Sequence, residues 1–195
     1  MTPSIVGWLA LAPMGMLLFA SVWTDVKECR IPNQFVFSGL ALGVFFNTVL
    51  PDGLGFASSL PGGVGLWGAL AGAAIGLGVM LPLYLLRAMG AGDVKLMAMV
   101  GAFLGSEDVI GAVLCSFIAG GVLSLGYAWK IGVLRRTLQN IKLIVYSSAV
   151  KIAGGSSPVL DAAPETAGKF PYAVAIAVGT LGYLAWKSAQ KTGWA

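Results

Sequence analysis

The chain has 195 residues, of which 57% are hydrophobic and only 10% are charged, and its net charge is +4. Soluble globular domains have about 25% charged residues, so this composition excludes such a domain and predicts a membrane protein. The sequence contains no histidine, which excludes a histidine-assisted serine or cysteine nucleophile, an HExxH zinc site and a histidine-ligated haem. Cys29 and Cys115 are not spaced for a structural zinc site. We expect no metal and no cofactor.

Mostly apolar runs, about long enough to cross a hydrocarbon core, recur along the sequence. They lack the alternating pattern of barrel strands, and therefore predict an all-α, polytopic membrane protein with about six transmembrane helices. We expect one integral membrane domain, residues 1–195. The predicted spans are residues 5–23, 34–49, 66–86, 93–104, 109–128 and 170–186. The first span lacks the basic leading region and cleavage site of a signal peptide, and is expected to remain in the mature protein.

The connections between these spans carry most of the polar and helix-breaking residues. Residues 25–30 form a short charged connection, after which Pro32 suits the first turn of the second helix. Residues 51–65 and 106–108 are predicted as a loop and a turn. Pro82 is expected to kink the third span or to be accommodated by a neighbouring helix.

The connection before the last span, residues 130–169, has a different pattern. Between residues 130 and 152, apolar side chains recur at helical spacing opposite a polar stripe. This pattern predicts an amphipathic helix on the cytoplasmic membrane surface or, equally well, a continuation of the fifth helix into water. Residues 154–169 are predicted as a loop, and residues 187–195 as a tail.

The distribution of basic residues predicts the orientation of the chain. Ten of the 12 Lys and Arg lie in three alternate connections, and the loops between these have none. The positive-inside rule then places those three connections in the cytoplasm and both termini outside, although Lys187 and Lys191 count against this orientation. This asymmetry accounts for the net charge, so we expect contact with lipid and no nucleic-acid partner.

Two aspartates fall on the predicted cytoplasmic side, each next to an apolar span. Asp25 follows the first span, and Asp93 follows Gly90 and Gly92 at the start of the fourth. Ionisable residues beside membrane spans suggest a functional site. Two neighbouring carboxyl groups can share one proton, so that the ionised group takes a proton from water while the neutral group polarises a scissile carbonyl. The pair therefore predicts aspartic-protease chemistry; the alternative for each aspartate is a helix cap or a solvated charge.

Other polar and small residues surround this pair in the sequence. Without a Cβ atom, Gly90 and Gly92 would allow close approach to the acids and backbone angles that other residues avoid. Lys27 and Lys95, two places after the acids, are expected to anchor at lipid phosphates, with positioning of the site as the alternative. The remaining acids are expected to be solvated in loops: Glu28, Asp52, Glu107, Asp108, Asp161 and Glu165.

The residues around the acids match a known pattern. Gly90-Ala91-Gly92-Asp93 matches the GxGD signature of intramembrane aspartyl peptidases. Together with Asp25, Ile31-Pro32-Asn33 and Gly92-Asp93-Val94-Lys95-Leu96, it resembles the type IV prepilin peptidase family over roughly residues 5–125. Phe170-Pro171-Tyr172 is loosely similar to the start of the final helix in that family.

The resemblance implies that Asp25 and Asp93 are the catalytic pair, and makes Pro32 and Asn33 candidates for positioning. It implies that the protein lies in the bacterial inner membrane and cuts leader peptides from prepilins and pilin-like secretion subunits on the cytoplasmic side. Larger members carry an added N-terminal region with a cysteine cluster and methylate the new N-terminus. This chain resembles the short, peptidase-only branch associated with Flp/Tad-type pili, so methyltransferase activity is not expected.

Two other functions are compatible with the same acids. In a small ion- or proton-coupled transporter, Asp25 and Asp93 would bind a cation or relay protons, although the sequence shows no inverted repeat. In a non-catalytic assembly partner of a secretion complex, substitution of the acids would leave pilus formation intact. For a peptidase, we further expect the linker 87–92 to move one acid relative to the other when substrate binds.

Overall fold

The computed structural model describes residues 3–50, 63–86, 89–130, 132 and 171–191, without the side chains of residues 3–10, 128 and 191. This part of the chain has five helices and no strand, which confirms the all-α class. The helices are α1 Pro3–Glu28, α2 Asn33–Val49, α3 Gly65–Leu85, α4 Ala91–Lys130 and α5 Tyr172–Lys191. The predicted surface helix at 130–152 and the loops at 51–65 and 154–169 lie wholly or mostly outside the described residues.

The chain divides into two compact units, Met1–Gly120 with Pro171–Ala195, and Gly121–Phe170. The residues of the candidate site lie in the first unit, and of the second unit the structure describes only residues 121–130 and 132. Among the described residues, two helical segments are long and apolar enough to cross a membrane, Gly65–Leu85 and Ala91–Tyr127. The predicted number of six spans stays a prediction.

The longest helix, α4, contains a chain reversal. Gly105 has φ 82° and ψ 179°, a positive φ that glycine adopts readily, and it divides α4 into a first and a second arm. A Cβ atom placed on Gly76 of α3 would lie 2.6 Å from the carbonyl oxygen of Met97 and 3.2 Å from Cγ2 of Val109. Along one continuous helix, residues 97 and 109 would be about 18 Å apart. Their common neighbour shows that the two arms run side by side in opposite directions.

The reversal corrects the position of the predicted turn. The sequence placed the turn at residues 106–108, whereas these residues are helical and belong to the second arm of α4. The reversal needs a positive φ, and Gly105 supplies it one residue earlier.

The first arm of α4, residues 91–104, lies at the centre of the core. All its residues from Leu96 to Leu104 are buried, as expected for a helix that is apolar on every side. Glycines on the neighbouring helices lie against it. A Cβ atom on Gly43 of α2 would be 3.0 Å from the backbone of Ala102, and one on Gly72 of α3 would meet the carbonyl oxygen of Gly101. Close packing at small residues is therefore what brings α2 and α3 against this arm.

Several helix boundaries differ from the predicted ones, most of them by one or two residues. Helix α1 continues through Asp25 to Glu28, where the sequence predicted a connection, and ends before Cys29, whose φ is 48°. Pro32 is the N-cap of α2 in an extended conformation, one residue before the first turn. Helix α5 extends to Lys191, because the predicted tail continues the helix. Pro82 is accommodated within α3, which ends three residues later.

One acid that was predicted to be solvated is buried instead. Asp108, in the second arm of α4, is only 2% exposed and accepts a hydrogen bond of 2.7 Å from the Tyr183 hydroxyl. It also forms an ion pair with Lys187. A carboxylate can be buried here because α5 supplies these two partners, which the sequence pattern does not reveal. Glu28 and Glu107 are exposed as predicted, and the other three acids lie outside the described residues.

Candidate active site

Asp25 lies on the buried face of α1, near its end. Met14, Leu18, Ser21 and Asp25 recur every three or four residues, so one face of the helix carries them all into the core. The Asp25 side chain is 7% exposed. Its Oδ2 accepts a hydrogen bond of 3.1 Å from the backbone N–H of Ala173.

Ala173 is the second residue of α5, so the Asp25 carboxylate lies at the amino end of that helix. A helix amino end carries a partial positive charge that favours an anion. Burial nevertheless dominates, and it raises the pKa of Asp25 above its ordinary value of 3.8, while the Ala173 N–H opposes the rise. Asp25 lies beyond the predicted span 5–23. This carboxyl group therefore holds a proton more tightly than a solvated aspartate does.

Asp93 lies in the first turn of α4 and is 8% exposed. Its Oδ2 accepts a hydrogen bond of 3.2 Å from the N–H of Gly90, and its own N–H donates to the Gly90 carbonyl oxygen at 3.2 Å. The contact from a side chain in the first turn back to the N-cap amide is half of a capping box. The helix-cap interpretation of Asp93 thus describes one of its contacts, but it does not account for the second acid nearby.

The fold brings the two aspartates together. The negative charge of Asp25 acts on Asp93 through space, and the charge of Asp93 acts on the Tyr172 hydroxyl. The end of α1 and the amino ends of α4 and α5 therefore meet at one site. Each carboxylate accepts a hydrogen bond from a different backbone amide, Ala173 for Asp25 and Gly90 for Asp93.

The two sequence motifs also contact each other directly. A Cβ atom on Gly92 would lie 3.2 Å from Cβ of Ile31, so glycine leaves room for the loop that joins α1 and α2. Lys95 Nζ donates a hydrogen bond of 3.1 Å to Oδ1 of Asn33. Neither Gly90 nor Gly92 has a positive φ, so the backbone freedom that glycine allows is not used here, and available space is the reason for Gly92.

The two lysines therefore differ in their contacts. Lys95 joins α4 to the first residue of α2, whereas Lys27 lies over the ring of Trp23, 4.3 Å from its centroid. Pro32 lies between Ile31, which contacts Gly92, and Asn33, which binds Lys95. It is the N-cap of α2 and has an extended conformation. These contacts are consistent with a positioning role for Lys95, Pro32 and Asn33, which stays a prediction.

A cleft of about 430 Å³ lies beside this loop and is lined by Glu28, Arg30, Ile31, Pro32, Asn33 and Gln34. In the part of the chain that the structure describes, no group of three or more His, Cys, Asp or Glu is placed to hold a metal ion.

The sequence did not identify the backbone of Ala173 as a partner of Asp25, nor the buried side chain of Ser21 next to it on α1. Ala173 binds Asp25 through its backbone, and only Pro171 at the start of the last helix pointed to that region. Ser21 precedes Asp25 by one helical turn on the same buried face, and counting back four residues from Asp25 could have found it.

The described residues form apolar helices, and two buried aspartates lie at neighbouring helix ends. This combination is typical of a membrane protein with a functional acid pair. The family model described as "type IV leader peptidase family" matches residues 12–125, more than half of the chain, and the protein belongs to that family. The match includes both aspartates. No significant match was found among curated proteins or among solved structures. The family supports a leader peptidase function with a pilin-like substrate, and with the apolar helices it supports a membrane location.

Proposed function

We propose that this protein is a membrane aspartic endopeptidase with Asp25 and Asp93 as its catalytic pair. It removes the leader peptide of type IV prepilins or pilin-like proteins on the cytoplasmic side of the bacterial inner membrane, as in the short branch associated with Flp/Tad-type pili. The observation that carries this proposal is the placement of two buried carboxyl groups, from distant parts of the chain, within electrostatic reach of each other.

The proposed reaction uses one proton shared by the pair. The ionised carboxylate takes a proton from water, and the neutral carboxyl group donates a hydrogen bond to the scissile carbonyl oxygen. Water adds to the carbonyl carbon, and the resulting intermediate collapses when a proton is passed to the leaving nitrogen. The two carboxyl groups titrate as a coupled pair, so the two roles are assigned to the pair and not to single residues.

The cleft lined by Glu28 and residues 30–34 is the proposed place for the polar leader of the substrate. Glu28 follows Asp25 by three residues, about 5 Å along the axis of α1. The N–H groups of Arg30 and Ile31 make no hydrogen bond among those of the described residues, so they are available to an extended peptide. The apolar helix that follows the leader would remain in lipid, because its side chains have no favourable place in a polar cleft.

Cleavage of a pilin-like precursor by the purified protein in detergent tests this function. We expect the wild-type protein to cut the precursor before its hydrophobic helix, and the variants Asp25→Asn and Asp93→Asn to leave it uncut. Glu107→Gln is the matched control, because Glu107 is exposed and lies beyond the reversal at Gly105. Full activity in either aspartate variant would overturn the proposed roles. Ion uptake into liposomes without any cleavage would instead favour a transporter.

A further inference from the structure

Ser21 carries a buried hydroxyl group on the same face of α1 as Asp25. Its side chain is 0% exposed, and Oγ makes no hydrogen bond within the described part of the chain. Serines inside helices commonly donate to the carbonyl oxygen four residues earlier, as Ser116 does to Ala112 at 2.7 Å. Ser21 does not form this bond. Buried polar groups are nearly always hydrogen-bonded, so this exception needs an explanation.

The position of Ser21 supplies one. It precedes Asp25 by four residues in α1, and side chains at this spacing are neighbours on the helix surface, with Cβ atoms about 5–6 Å apart. Side chains on a helix lean towards its amino end, so the Asp25 carboxylate leans towards Ser21. The Oδ2 atom of Asp25 is bound to Ala173. Its Oδ1 atom has no hydrogen bond among those that the structure describes.

We propose that Ser21 is a positioning residue of the active site, whose hydroxyl donates a hydrogen bond to Oδ1 of Asp25, directly or through one water molecule, during the reaction. The inference rests on the proposed function, because it takes Asp25 as one of the two reacting acids. With the Ala173 N–H on Oδ2, the Ser21 hydroxyl gives the carboxylate a donor on each oxygen. Two donors restrict its rotation and favour its ionised form in a site where burial disfavours charge.

The test measures kcat, KM and the pH dependence of precursor cleavage for Ser21→Ala and Ser21→Thr. We expect Ser21→Ala to lower kcat about tenfold with little change in KM, because the hydrogen bond acts on the catalytic acid and not on substrate binding. The acidic limb of its pH profile should move to higher pH, because the ionised carboxylate has lost a donor. Ser21→Thr keeps the hydroxyl and should retain most of the wild-type kcat.

The charged and titratable groups around Asp25 bear on that pH profile. Asp93 at the start of α4 and Tyr172 at the start of α5 face the same site, while Lys27 and Glu28 follow Asp25 on α1. All of them remain in the Ser21 variants. A difference between the profiles of Ser21→Ala and Ser21→Thr therefore reports the hydroxyl.

Thr180→Val is the matched control. Thr180 is also 0% exposed, and its hydroxyl has no hydrogen-bond partner among the residues that the structure describes. It lies in α5 seven residues after Ala173, about two turns from the acids. This variant should keep the wild-type kcat and pH profile. The inference is overturned if Ser21→Ala retains both, or if Thr180→Val lowers kcat equally. It is also overturned if Ser21→Ala loses activity only in proportion to a lower melting temperature.

The proposed function and this inference fail in different ways. If the wild type cleaves the precursor and Asp25→Asn does not, the proposed function stands, whatever Ser21→Ala does. If the wild type does not cleave, the proposed function is overturned and the role of Ser21 falls with it.

Discussion

The carboxylate of Asp25 accepts a hydrogen bond of 3.1 Å from the N–H of Ala173, a residue 148 positions later in the chain. The family match ends at residue 125, so this partner of a proposed catalytic acid lies outside the matched region. The amino end of α5 is therefore part of the site. Any change that shifts α5 along its axis would alter the surroundings of Asp25.

Replacing Asp25 should separate activity from stability. Burial penalises only the charged form, and the amide oxygen of an asparagine at this position could still accept the Ala173 N–H. We expect Asp25→Asn to lose cleavage by about 10²–10⁴-fold, the contribution of a positioned general acid or base. Its melting temperature at neutral pH should equal or exceed that of the wild type. A clear drop in melting temperature would show that the ionised carboxylate stabilises the fold, contrary to this prediction.

The pH dependence of stability should follow from the same group. Burial raises the pKa of Asp25 above 3.8 in the folded protein, so the folded state holds the proton more tightly than the unfolded state. When the folded state binds more protons, stability falls as the pH rises. We expect the stability of the wild type, relative to Asp25→Asn, to decline as the pH rises from about 3.8 through the raised pKa. Thermal unfolding of both proteins across this range measures the difference, and a rise would contradict the prediction.

The packing of Gly92 against Ile31 predicts the effect of one methyl group. In Gly92→Ala the new Cβ would lie 3.2 Å from Cβ of Ile31, closer than most carbon contacts, and would push the loop or the start of α4. Because Asp93 is the next residue, we expect turnover to fall several-fold while the protein remains folded.

Gly78→Ala is the control for this change, because a Cβ atom there has no neighbour within 4 Å. It should leave turnover unchanged and stabilise the helix by up to about 1 kcal/mol. If Gly92→Ala cleaves at the wild-type rate, the contact with Ile31 does not position Asp93, and the expected gating by the linker 87–92 loses its support.

Asn47 should be important for stability far from the acids. Its Nδ2 donates to the carbonyl oxygens of Ala102 at 2.7 Å and Phe103 at 3.1 Å, just before the reversal at Gly105. It is 1% exposed. We expect Asn47→Ala to lower the free energy of unfolding by about 1–3 kcal/mol, because it leaves these buried carbonyls without a donor.

Thr48→Ala provides the comparison for Asn47, since Thr48 is exposed and its hydroxyl bonds only to Val44 in its own helix. It should change stability by less than about 0.5 kcal/mol. Denaturant unfolding in detergent measures both variants, and equal losses would show that the contacts of Asn47 with α4 contribute no more than a surface hydroxyl.

The ion pair between buried Asp108 and partly exposed Lys187 predicts coupling between the two side chains. Among the described residues, Oδ2 of Asp108 has no hydrogen-bond partner, and Lys187 is paired with Oδ1. Removing Lys187 would therefore leave the buried carboxylate without its cation. We expect Lys187→Met to destabilise the protein by about 1–3 kcal/mol, less than for a fully buried pair because Lys187 is partly exposed, and Asp108→Asn combined with it to recover much of the loss. A double-mutant cycle measures this coupling, and additive losses would count against it.

Patterns of local spacing were enough to predict much of this protein. The apolar runs predicted the approximate positions of all five described helices. The length of an apolar run and its helical periodicity can be read from consecutive residues. The motifs around Asp25 and Asp93 indicated the leader peptidase family, which the comparison confirmed. The reversal was predicted one to three residues late, because the polar residues 106–108 resemble a turn while the backbone angle of Gly105 makes it.

Contacts between distant residues could not be derived in this way. The spacing of residues cannot show that Ala173 would bind Asp25, or that Tyr183 and Lys187 would bury Asp108, because these partners lie on α5, whose register against α1 and α4 depends on packing. The sequence by itself determined which residues carry charge beside apolar helices. Only the tertiary structure decided which of those charges are desolvated, because burial depends on the neighbours that the fold brings to each side chain.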